Sequence, residues 1–259
     1  MSMRLSARRP EKHTNAATLR KWAMIFLAAG VIGQGLIQNR LLGMGTLSSM
    51  ELLSNMQADS SVMTLVTIAL FCQVIETCAV PLFSFLLVEG FLRTRSFEKY
   101  LIRVAAVALV SEIPYNLAIG GKFFELGSRN PAFSLLICLV MLYFFRRYEE
   151  KSPRNTLIKL AAVFCVFLWA GILDVEHGQC CALLVAEIWA LREKPNLQTF
   201  LGILLVFCCM IFSVFYLLAP IGFLILHFYE GEQGEENRLV NYLSYPVILL
   251  VCGLMVRFL

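Results

Sequence analysis

The sequence predicts an all-α fold, a polytopic integral membrane helical bundle of about 8-9 transmembrane helices with a cytoplasmic N-terminus. Three observations carry that expectation. Of 259 residues, 59% are hydrophobic and only 15% charged, against about 45–50% and about 25% in soluble domains. Apolar runs near the roughly 20 residues that cross a hydrocarbon core recur from residue 22 to the C-terminal end. Lys and Arg gather between alternate runs, as the positive-inside rule asks of cytoplasmic loops.

In order along the chain, residues 1–21 form a basic cytoplasmic tail with Arg4, Arg8, Arg9, Lys12, Arg20 and Lys21, and 22–259 a single transmembrane helical domain. The first span, about 22–38, reads as an uncleaved anchor, because its leader is long and no A-x-A site follows. Gly30, Gly33 and Gly35 within it read as close helix packing. A run over 62–92 would reach roughly 45 Å at about 1.5 Å per residue, so it tilts strongly or breaks near Pro81. Spans follow at 100–119, 131–145, 156–173 and 179–191. The stretch 199–229 crosses twice, as 199–213 and 215–229, or once; 239–258 is the last span. With nine spans the acidic 231–236 loop is cytoplasmic and the C-terminus outside; with eight, both reverse.

Charge sorts with this order. The tail, the loop with Arg93, Arg95, Lys99 and Arg103, the loop from Arg146 to Lys159, and Arg192 with Lys194 hold 17 of the 22 basic residues. The intervening outside loops hold only Arg40, Lys122 and Arg129. The net charge of +4 suits anionic inner-leaflet lipid, so membrane lipids are the expected partners. No basic stripe interleaved with aromatics points to nucleic acid. The nine cysteines lie in apolar stretches with no C-x-x-C, which argues against a disulfide framework or zinc site, and no metal is expected.

An ionisable side chain at the bilayer centre costs roughly 2.5–3.5 kcal/mol, so Glu76, Glu89, Glu112, Asp174 and Glu187 each need a partner, a cavity or a task. Glu112, Tyr115 and Asn116 stand at i, i+3 and i+4, on one face of the third span beside Pro114. Arg129-Asn130-Pro131 and the turn from Asp174 to Gly178 fall at the same depth, so neighbouring helices would line an outward-opening pocket. His177 there is a candidate general base, and a nearby carboxylate would orient it; an exposed loop histidine is the plainer reading. His227 reads as an interfacial group. At the cytoplasmic end Glu89 and Arg93, at i and i+4, read as an ion pair. Arg93, Arg95, Lys99 and Arg103 are also suited to a phosphorylated donor.

The runs Val80-Pro81-Leu82-Phe83-Ser84-Phe85-Leu86-Leu87-Val88-Glu89-Gly90-Phe91 with Thr94, Lys99-Tyr100-Leu101-Ile102-Arg103, and Ser111-Glu112-Ile113-Pro114-Tyr115-Asn116 resemble the TraX family of bacterial membrane proteins. Arg129-Asn130-Pro131, the Asp174 to Gly178 turn, Tyr229-Glu230-Gly231 with Gly234, and Tyr245-Pro246 extend the resemblance in order over roughly residues 75–250. It implies a multi-pass protein of the bacterial inner membrane, related to the enzyme that N-acetylates conjugative pilin from acetyl-CoA. Two positions depart from the pattern. Gly30-Val31 stands where the family usually has Asp-His, and Ile248 where it usually has a histidine after Tyr-Pro.

The expected function is therefore acyl transfer from acetyl-CoA to an amine or hydroxyl acceptor of unknown identity. His177, Glu112 and Asp174 are the candidate catalytic residues and Asn116, Tyr115 and Asn130 the candidate acceptor-binding ones. Glu89, Arg93, Thr94 and Arg103 are the candidate donor site. A non-catalytic binding or scaffold protein and a small-solute transporter are the alternatives.

Overall fold

Among the described residues, four helical stretches are long and apolar enough to cross a membrane: Ala16–Leu41, Ser60–Arg93, Phe97–Gly120 and Pro153–Ile172. Shorter apolar helices accompany them at Gly178–Leu191, Pro195–Cys209, Val214–His227 and Tyr242–Phe258. The computed structural model describes residues 14–44, 47, 49–121, 123, 130–229, 231–232 and 238–258. The tail through residue 13, Lys122, Arg129, Glu230, Gly234 and most of the acidic loop lie outside the described residues.

Helix α1 (Ala16–Val31) starts where Asn15 Oδ1 accepts from Thr18 N at 2.9 Å, and runs on as a π-helical stretch, Ile32–Leu41. Arg20 and Lys21, expected in the tail, thus ride on its first turns. After α2 (Ser49–Ala58), Asp59 caps α3 (Ser60–Glu76) by accepting from Ser61 N at 2.7 Å. α4 (Ala79–Arg93) follows across a break at Thr77 and Cys78. The break falls four residues before Pro81, whose ring collides with the carbonyl of residue i−4, here Thr77. The freed segment is held from across the fold. Thr77 Oγ1 lies 2.7 Å from Val74 O and 3.0 Å from Phe215 O, and Cys78 Sγ lies 3.0 Å from Leu218 O.

Ser96 caps α5 (Phe97–Gly120), which stops at Gly121, where φ of 64° is cheap only for glycine. α6 (Ala132–Arg147), α7 (Pro153–Ile172), α8 (Gly178–Leu191) and α9 (Pro195–Cys209) come next. The chain then turns through 210–213, and Ser213 caps a 3-10 segment, Val214–Leu218, that leads into α10 (Pro220–His227). Gly202 and Phe223 meet, since a Cβ at 202 would stand 2.2 Å from the Phe223 ring, so the 199–229 run folds back on itself. α11 (Arg238–Phe258) completes the chain.

α8 sits centrally against α4, α6, α7 and α9, while α11 packs along α5 and reaches α1. Leu82, Phe91, Leu139, Leu142, Leu184 and Val185 are fully buried between them. α7 is peripheral and presents Leu157, Leu160 and Phe164 outward, the surface a lipid-facing helix needs. Lipid tails are as apolar as leucine, so close backbone approach rather than exclusion of water holds such helices together. Gly33 and Gly35 supply it: a Cβ at 33 would lie 2.6 Å from Cys72 Cβ, and one at 35 only 1.9 Å from Ala118 O.

The basic loops share one end of the bundle. Arg146 Nη2 donates to Phe91 O at 3.1 Å and Arg192 Nη2 to Glu149 Oε1 at 2.6 Å. Thr14 bridges to Tyr229, Ala16 N donates to Glu232 O at 2.9 Å, and Arg93 donates to Gly231 O. Residues before α1 and after α10 therefore meet at the Arg93 end.

Replacing Gly35 by Ala forces the π-helical stretch away from α5, and is expected to cost about 1–3 kcal/mol. Unfolding in mixed micelles measures this; an unchanged midpoint would mean that the α1–α5 approach is looser than its geometry.

Candidate functional site

α4 carries the residues that open the site. Glu89 and Arg93, one turn apart, pair through Arg93 Nε donating to Glu89 Oε1 at 2.7 Å. Tyr229 Oη donates to the same carboxylate oxygen at 2.9 Å, and Arg93 also reaches Tyr229 Oη at 3.3 Å. Burial and the adjoining Glu89 carboxylate push the Tyr229 phenol above its ordinary range, so it stays a protonated donor. Arg93 is thus oriented and half neutralised by its neighbours. Arg95, Lys99 and Arg103 are exposed beside it, and Thr94 Oγ1 donates to Ser96 O at 3.2 Å, shaping the turn into α5.

A cavity of about 880 Å³ begins among these groups, a size typical of small-molecule sites. Arg20, Arg93, Arg95, Lys99 and Arg103 line its mouth, Met24, Leu27, Phe83, Leu87, Val104 and Val107 its middle, and Glu76, Ser134, His177, Cys181 and Tyr245 its far end. α4 separates the ends; its 15 residues span about 22 Å. Gly90 admits the ring of Tyr100 to the wall, because a Cβ there would lie 2.6 Å from Tyr100 Oη.

The far end brings together residues distant in sequence. Glu76 closes α3 and is 8% exposed. Glu176 and His177 belong to the turn before α8. One ligand atom from each of Glu76, Glu176 and His177 lies within 4.8 Å of the others. Tyr115 Oη donates to Glu176 Oε2 at 2.6 Å, and His177 Nδ1 lies 2.9 Å from Tyr216 Oη. In the tautomer that donates from Nδ1 to Tyr216, His177 Nε2 presents a lone pair; that atom is buried and has no hydrogen-bond partner. His177 has φ of 57°, a strained position for a residue with a Cβ and one that clusters at functional turns. Burial holds the imidazole below its ordinary value against the opposing pull of Glu176, so its neutral form is favoured.

Gly30 explains how Glu76 fits. A Cβ at position 30 would fall 1.8 Å from Glu76 Oε2. The place where the resemblance implies an Asp-His pair is therefore occupied by a carboxylate from α3, and any side chain at 30 would expel it.

The other residues singled out divide. Glu89, Arg93, Thr94 and Arg103 do meet at the mouth, and His177 stands at the far end. Tyr115 reaches the site through Glu176. Asn130 is fully buried, takes hydrogen bonds from Ala132 N and Tyr245 Oη, and so positions the cavity wall without facing the space. Asn116 is buried and Glu112 half-buried on α5, and neither lines the cavity. Asp174 is exposed with φ of 49°, outside the wall. Among the described residues, Glu112, Asn116 and Asp174, expected around an outward-opening pocket, do not line the cavity entered among the basic groups. Glu76, Glu176, Tyr216 and Tyr245 were not assigned to a site from sequence. Glu76 as an acid inside an apolar run, Glu176 within the Asp174 to Gly178 turn and Tyr245 within Tyr245-Pro246 each carried a signal, and Tyr216 carried none.

The family described as TraX protein matches residues 19–256. The chain is 30% identical over 198 residues to a protein of Dichelobacter nodosus described as "Probable fimbrial assembly protein FimC, serogroup H1", covering 67% of this chain and 78% of that relative. No solved structure matches it.

The depressed His177 value has a signed consequence. Below the ordinary value of 6.5 the unfolded chain takes up a proton that the folded chain refuses, so stability falls as pH drops from 6.5 toward the lower folded value. Thermal unfolding across that window should show the loss, and His177→Asn should flatten it; an identical slope in the variant would refute a neutral buried imidazole.

Proposed function

The chain belongs to the TraX family, and from that membership we propose that it is an acyltransferase of the bacterial inner membrane, moving an acetyl group from acetyl-CoA to an amine or hydroxyl acceptor. The carrying observation is the continuous cavity from a basic mouth to a carboxylate and histidine end. Of the eight or nine passes expected, nine with a cytoplasmic N-terminus would put that mouth on the side where acetyl-CoA is available.

Phosphates of the donor pair with Lys99, Arg103 and Arg93, the last pre-oriented by Glu89 and Tyr229. The slender thioester arm runs between Phe83, Leu87 and Val104 toward His177. There the acceptor lone pair attacks the acetyl carbonyl carbon, forming a C–N or C–O bond as the C–S bond breaks. The acceptor's proton passes to the Glu76, Glu176 and His177 group and then to the departing thiolate, giving CoA thiol. Tyr115 and Tyr216 hold Glu176 and His177 in place, and Asn130 fixes Tyr245 in the adjoining wall. The relative's description as a fimbrial assembly protein supports an acceptor among pilus subunits.

Acetyl-CoA binding to the chain in nanodiscs tests the mouth. Saturable binding that weakens about tenfold or more in a Lys99→Ala, Arg103→Ala double variant is expected. No binding up to millimolar ligand by folded protein would end the acyltransferase reading.

The far end is tested separately. Glu76→Gln and Tyr115→Phe should retain acetyl-CoA binding while acetyl transfer to a pilin amino-terminal peptide falls, for Glu76→Gln by about 10²–10⁴-fold. Full activity in Glu76→Gln would remove Glu76 from the site.

A further inference from the structure

We infer that Glu76, Glu176 and His177 form a binding site for a divalent first-row transition-metal ion, of which zinc is the natural probe. The inference goes beyond acyl transfer and does not require it. The donor set is one imidazole and two carboxylates, types that zinc, manganese and cobalt accept together. Their ligand atoms lie within 4.8 Å of one another. A tetrahedral ion with bonds of about 2.0–2.2 Å would draw such atoms to roughly 3.4 Å.

Independent observations point to a ligand. His177 Nε2 is buried and has no partner. Glu76 is 8% exposed, lines the cavity and accepts no hydrogen bond from the described residues. Among the described residues, ion pairs join Glu89 to Arg93 and Glu149 to Arg192, neither at this cluster. Two carboxylates gathered in a low-dielectric wall require a compensating positive charge. A proton shared between them would meet that need but would leave Nε2 without a partner; a cation engages all three groups.

The surrounding contacts are those a ligand set requires. A metal-bound histidine donates its other ring N–H to a fixed partner, and Tyr216 Oη stands 2.9 Å from Nδ1. Tyr115 holds Glu176 Oε2 at 2.6 Å. Glu76 and His177 both face the cavity, so a fourth coordination position opens toward it, the pattern of catalytic rather than closed structural sites. Glu76, Glu176 and His177 would hold the ion, with Nε2 as the histidine ligand, and the ion would supply Lewis-acid activation of a water or acceptor oxygen at the open position.

The test uses the full chain, purified in nanodiscs without a polyhistidine tag or chelator, and contains no CoA. Elemental analysis should find about one equivalent of zinc or manganese per chain. After stripping, titration with cobalt should be saturable and give the visible bands of a low-coordinate site. Glu76→Gln and His177→Ala should each weaken cobalt binding by about a hundredfold, and Tyr216→Phe, which keeps all three ligands, by about tenfold. Glu187→Gln, outside the cluster, should bind as the parent does. Absence of saturable binding of zinc, cobalt or manganese by the folded parent overturns the site, as does unchanged affinity in folded Tyr216→Phe and Glu76→Gln proteins. Metal binding without acetyl-CoA binding would overturn the transferase alone, and the converse the metal site alone.

Discussion

The break at Thr77 and Cys78 is the constraint on which the rest of the architecture depends. The Pro81 ring crowds the Thr77 carbonyl one turn behind it, and α3 and α4 part there instead of continuing as one rod. The side chains at the break are held by the 3-10 segment, the Thr77 hydroxyl by Phe215 O and the Cys78 thiol by Leu218 O. Gly222 then lies against Pro81, where a Cβ would come within 2.4 Å of the ring. The bend thus does three things at once. It ends α3 with Glu76 in the wall, starts α4 on a line that carries Glu89 and Arg93 to the mouth, and docks the α9–α10 hairpin.

From that geometry follows a division between a charged entrance and a polar terminus, joined by an apolar passage. At the entrance, cations exceed what Glu89 can pair, which suits an anionic visitor. At the terminus, the acids exceed what nearby cations pair, which suits a proton or metal. Gly30 couples the two ends, because α1 carries both the glycine that admits Glu76 and Arg20 at the mouth. A carboxylate at 76 and the absence of a side chain at 30 are therefore one structural requirement.

Much of this was legible in the residues. Apolar runs mark where the helices lie, and Pro81 announces the bend to within four residues. Arg93, Lys99 and Arg103 follow one another closely enough that their shared location needs no tertiary knowledge. The far end was hidden because Glu76 meets partners a hundred residues later in the chain, at Glu176 and His177. Asp174 shows the converse: nearness in sequence to His177 suggested a shared task, yet its left-handed backbone turns it outward. Short periodicity reports one helix face; it does not report which distant turn that face will meet.

The clasp between Thr14 and Tyr229, with Ala16 N on Glu232 O, orders events during synthesis. The entrance is framed by residues more than two hundred positions apart, so a nascent chain that has inserted α1 through α9 already contains Arg93, Lys99 and Arg103 but not the segment that orients Arg93. Only when the ribosome has passed Glu232 can the opening take its final form. A truncated translation product thus carries the cations without the frame, and the bilayer holds a basic surface rather than a doorway.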